Sequence, residues 1–88
     1  MRLDTLALLE DLLRASLAGY RLELAEYWIE YKEWGEALAQ LLEIVQRDRA
    51  FEDDVGRKRM VQVFELAATQ PAVVSEWRRR LGAALNVR

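Results

Sequence analysis

Three consecutive carboxylates, Glu52, Asp53 and Asp54, form the densest group of reactive side chains in this 88-residue sequence. Adjacent carboxylates can hold Mg²⁺ or Ca²⁺. The stretch lacks the spaced ligands of a calcium loop, however. An acidic residue before a helix also has a simpler task, because its oxygen can accept hydrogen bonds from the first helical amides. Two basic runs follow, Arg57-Lys58-Arg59 and Arg78-Arg79-Arg80. Binding a phosphate backbone needs such side chains on one face, yet neighbouring helical residues fan out by about 100° each. Glu52, Asp53, Asp54 and Glu76 offset them nearby, and the net charge is −2. Nucleic-acid binding is not expected. The chain has no cysteine and no histidine. That removes disulfides, thiolate metal sites and the commonest nucleophiles and general bases. No catalytic residue, cofactor or metal ion is expected.

What remains is a question of how elements present their surfaces. Residues that are 52% hydrophobic and 32% charged describe one soluble globular domain, spanning 1–88. A chain of this length buries roughly 64% of its unfolded surface, which makes a small core. No apolar run approaches the roughly 20 residues of a membrane span. Asp4, Glu10 and Asp11 interrupt the leucine-rich start, which argues against a signal peptide, so a cytoplasmic location is expected. Acidic residues dominate up to about Arg47, and basic residues slightly dominate beyond it.

One proline and four glycines leave most of the chain free to be helical. The spacing predicts an all-α fold of about five antiparallel helices. The first covers about Thr5–Ala15, with Leu6, Leu9, Leu13 and Leu17 at helical intervals, Asp4 as its cap and a break at Gly19. The second covers about Tyr20–Lys32 and should bury Leu24, Ala25, Trp28 and Tyr31. The third, about Gly35–Arg47, carries a wide stripe of Ala37, Leu38, Leu41, Leu42, Ile44 and Val45, as suits a helix packed between two neighbours. After a loop anchored by Phe51, Asp53 or Asp54 should cap a fourth helix, which turns Met60, Val63, Phe64 and Ala67 inward and runs to about Ala68. Pro71 fits the first turn of a fifth, with Val74, Trp77, Leu81, Ala84 and Leu85 buried. There, Gly82 either weakens the helix or permits close packing.

The second and third segments resemble a tetratricopeptide (TPR) repeat, a 34-residue helix–turn–helix unit with small and large apolar residues at fixed offsets. The matching residues are Leu24, Ala25, Trp28, Trp34, Ala37, Leu41, Ile44 and Asp48. Three positions depart from the pattern. Arg21 replaces the usual aromatic near the repeat start, Lys32 the interhelical glycine and Arg49 the closing proline. The resemblance implies a right-handed helical stack, with an N-terminal packing helix (1–18), a TPR-like hairpin (20–48) and a second helix pair (53–86).

The run EALAQLLEIVQRDRAFEDDVGRKRMVQVFEL (36–66), with a return over Glu76–Leu85, looks like the C-terminal helical domain of the co-chaperone thioredoxin family of the YbbN/CnoX type. In that family a thioredoxin domain precedes a TPR-like one. The resemblance implies binding of a protein or peptide, either a client or a chaperone, and no redox chemistry in this segment. The other reading is a stand-alone helical scaffold or dimerisation module without a chaperone role. Pairing of two copies through Leu3, Leu6 and Leu17, or through Leu85 and Val87, would make a homodimer. In TPR-like repeats the first helix of each pair lines a concave groove. Carried to this chain, that groove comprises Leu22, Glu26, Ile29 and Glu30, completed by Lys58, Gln62 and Glu65.

Overall fold

The computed structural model describes residues 17–86. Among them the chain is entirely helical, with four helices where about five were expected. Helix α1 is described over 17–30, followed by α2 (Trp34–Arg47), α3 (Val55–Leu66) and α4 (Pro71–Leu85). The expected first helix at about Thr5–Ala15 lies outside the described residues. The expected break at Gly19 is absent, since α1 runs straight through it. A single glycine costs a helix only about 1 kcal/mol relative to alanine, and flanking packing readily offsets that. Phe51 supplies some of that packing: its Cζ sits 3.9 Å from where a Gly19 Cβ would be.

Helix α2 is the centre of the molecule. Every member of its predicted stripe is buried, together with Trp34 at its start. It packs against both α3 and α4, which is why its apolar face is so wide. Leu38, Leu41, Ile44, Met60 and Val63 are the largest fully buried side chains. Each such side chain contributes about 2 kcal/mol by leaving water.

The joint between α1 and α2 explains how Lys32 can replace a glycine. Lys32 has φ 60°, the left-handed conformation. Its amide donates to the Ile29 carbonyl at 3.0 Å, and the Glu33 amide donates to the Trp28 carbonyl at 2.9 Å. This pair of bonds closes a helix with one left-handed residue, most often glycine. Lysine makes the turn at a backbone cost of about 1 kcal/mol.

The entry to α3 corrects a second expectation. Asp54 occupies the N-cap position but makes no capping hydrogen bond. A capping side chain reaches the N2 or N3 amide from an extended backbone. Asp54 is instead left-handed, with φ 67°, as are Glu52 (46°) and Asp53 (56°). Its Oδ2 accepts a bond from Arg57 Nε at 2.5 Å. Asp53 pairs with Lys58 Nζ at 2.9 Å, and that ammonium holds the Asp53 carboxyl below its ordinary range. Asp53 and Asp54 are thus engaged by the basic residues after them, and the described residues hold no cluster of potential metal ligands. Phe51 is half-buried against the core, the expected anchor.

Helix α4 begins at Pro71 as expected. Leu81 is its one buried residue among those described, while Val74, Trp77, Ala84 and Leu85 lean on the core half-exposed. A methyl group placed on Gly82 would meet no neighbour within 4 Å, so this is not a packing glycine. Close packing occurs at Gly56, in the first turn of α3. Lys32→Gly and Gly82→Ala should therefore each raise stability by about 0.5–1 kcal/mol. Thermal denaturation followed by circular dichroism would show both melting points above the parent's.

Candidate protein-binding groove

The functional surface depends on which side of α1 faces the core. Ala18 and Ala25 are buried, and Leu22 and Ile29 pack against the core beside Ala25. At about 100° per residue these four share one narrow face. The predicted buried face, Leu24, Ala25, Trp28 and Tyr31, is therefore rotated from the observed one. Leu24 and Trp28 are half-buried, and Tyr31 is 62% exposed. Trp28 is thus not fully buried as expected. Its ring lies edge-on to Tyr27 at 5.1 Å, and the tryptophan buried in the core is Trp34.

The same rotation divides the expected groove residues. Leu22 and Ile29 lie partly buried against the core. Glu26, Glu30, Lys58, Gln62 and Glu65 are exposed or partly so. Two of these five are joined by a residue that helical spacing alone does not single out, Arg59. Its guanidinium forms a two-pronged bond to Glu26, Nε to Oε2 at 2.7 Å and NH2 to Oε1 at 2.6 Å. Its third nitrogen donates to Gln62 Oε1 at 2.8 Å. The hydrogen bond to Glu26 raises the Arg59 pKa above its ordinary value. An exposed pair of this kind contributes up to about 1 kcal/mol. Its larger role is geometric, since it holds α1 and α3 side by side across 33 residues of sequence.

Glu30 stands one turn beyond Glu26 on α1, and Leu66, 52% exposed, one turn beyond Gln62 on α3. Lys58 is turned to Asp53 instead of across the groove. The surface is thus acidic at Glu30 and Glu65 with an apolar step at Leu66. The opposite charges of Glu26 and Arg59 were the available signal for it in the sequence, but nothing local marks residues so far apart as partners.

Two helix pairs, α1 with α2 and α3 with α4, stacked so that their first helices adjoin, define a TPR-like helical module. The chain belongs to the tetratricopeptide repeat family, whose model matches residues 7–86. No curated protein and no solved structure gives a match. TPR repeats generally mediate protein–protein interactions and are typically non-catalytic. No helix among the described residues is long and apolar enough to cross a membrane.

Proposed function

We propose that this chain is the client- or chaperone-binding domain of a thioredoxin-fused co-chaperone, acting in the cytoplasm, and that it binds peptide along the α1/α3 surface. The observation that carries the groove is the Glu26–Arg59–Gln62 link, which lays the first helices of both pairs beside one another. The link to the thioredoxin co-chaperones rests on the sequence resemblance over 36–66 and 76–85. Glu30 and Glu65 favour a client segment with basic residues, and Leu66 favours an apolar residue between them.

The test uses Glu30→Lys combined with Glu65→Lys. Both positions are exposed, and neither glutamate has an ion pair among the described residues. Glu26 is a poorer choice, because a lysine there would oppose Arg59 and disturb the fold. The intact chain should suppress aggregation of a chemically denatured client, followed by light scattering. The double variant should bind at least about tenfold more weakly, an effect of about 1.4 kcal/mol, at an unchanged melting temperature. Equal suppression by both proteins would remove the groove. No suppression by either would remove the chaperone role and leave an interaction module of another kind. A reading frame without a thioredoxin-like domain upstream would sink the fused form of the proposal.

The reading as a scaffold or dimerisation module has its own support, in the exposed aromatic face of α1.

A further inference from the structure

Helix α1 is apolar on two sides. Opposite its core face, Leu17, Tyr20, Leu24, Tyr27, Trp28 and Tyr31 fall within an arc of about 100°. Leu17 is 52% exposed, Tyr20 63%, Tyr27 50% and Tyr31 62%. The rings touch one another: Tyr27 and Tyr31 lie 4.8 Å apart between centroids, Tyr27 and Trp28 5.1 Å. A continuous surface of this type marks a contact site more than scattered apolar residues do. Glu23 and Glu30 run along one edge of it.

Complementary charge lies on α4. The outward side of α4 carries Arg79 among the short side chains of Ala72, Ser75 and Ala83, all exposed. Its neighbours are already engaged. Arg78 covers the Phe64 ring at 5.3 Å, and Arg80 pairs with Glu76 at 2.7 Å while covering Trp77 at 4.5 Å. Arg79 has no ion pair among the described residues. The molecule thus presents an aromatic face with one acidic edge on α1, and a face of short side chains with an unengaged arginine on α4.

We infer that the outer face of α1 docks the outer face of α4 of a second copy, head to tail, with Arg79 of one copy against Glu23 and Glu30 of the next. The rings of α1 are seated over the short side chains of α4, and Arg79 gains both carboxylates and an aromatic face. Pairing of α1 with α1 is disfavoured by charge, because an antiparallel arrangement sets Glu23 of one copy against Glu30 of the other. The inference goes beyond the peptide groove and does not depend on it: Glu30 borders both surfaces, whereas Tyr27, Tyr31, Arg79 and Ala83, the residues altered in its test, lie outside the groove.

A head-to-tail contact has two unlike halves, so it can be tested by complementation. One variant blocks the α1 half (Tyr27→Glu with Tyr31→Glu) and another the α4 half (Arg79→Glu with Ala83→Glu). All four positions are exposed, and circular dichroism checks that each variant remains helical. Tyr27→Gln replaces the glutamate variant if helicity falls. Sedimentation of the parent chain should give a mass that rises with concentration past the dimer and falls with added salt. Each variant alone should associate at least about tenfold more weakly. An equimolar mixture should form a one-to-one complex with parental affinity, because one intact half remains on each chain. A parent chain that stays monomeric at every concentration would overturn the inference, including the case where another segment or protein covers α1. An α4 variant that still self-associates, or a mixture that forms no complex, would overturn it too.

Discussion

Replacing Gly56 with leucine should destabilise the protein by at least about 3 kcal/mol, and lower its melting temperature by more than about 10 °C. A Cβ at position 56 would lie 3.1 Å from the γ2 methyls of both Ile44 and Val45, and 3.2 Å from the Leu41 carbonyl oxygen. The methyls can give by a few tenths of an ångström. The carbonyl belongs to the α2 backbone and cannot move without disturbing the helix. Alanine adds only the Cβ, and its helix preference of about 1 kcal/mol over glycine offsets much of the crowding. Leucine adds three further carbons with no space to receive them, so α3 must lift away from α2. Circular dichroism melts of the alanine and leucine variants would separate the two effects. A leucine variant that melts with the parent would show that α3 is not seated so closely.

Leu41→Ala should cost about 2–5 kcal/mol. Leu41 is fully buried on the helix that packs against both α3 and α4. Truncation leaves a cavity that neither neighbour can close without losing its contact with the other. Small domains have about 5–15 kcal/mol in total, so the variant should populate unfolded chain at modest temperature. Leu66→Ala is the matched control. Leu66 is 52% exposed, and its truncation should change stability by less than about 0.5 kcal/mol. Urea unfolding of both variants checks the contrast. A Leu41 cost no larger than the Leu66 cost would displace α2 from the centre of the fold.

Helix α2 was legible in the sequence because its stripe is wide and unambiguous: from Ala37 to Val45 every predicted inward residue is buried. Helix α1 was harder for a physical reason. It has two apolar faces, and the larger residues lie on the exposed one. Hydrophobicity alone favours Trp28 and Tyr31, whereas the core accepts Ala18, Leu22, Ala25 and Ile29. Small residues let helices approach, and tyrosine hydroxyls tolerate water, so size misleads about burial here. Glycine was a poor guide as well. Gly19 reads as a break and is helical, while Gly56, which the sequence pattern does not single out, sits close against α2. Of the proposed groove residues, Glu26 and Gln62 share a partner. The partner itself, Arg59, depends on a contact across 33 residues, which no local spacing encodes.

The unequal seating of α4 gives the molecule a gradient of local stability. Leu81 is its one buried residue among those described, whereas α2 carries seven. Opening α4 therefore requires much less free energy than opening α2, and it can occur while the α2–α3 contact persists. Such an opening uncovers the side of α2 that α4 normally shields. Helix α4 then acts as a detachable cover, and any contact that engages its outer face also tightens its inner one, linking assembly to the integrity of the second helix pair.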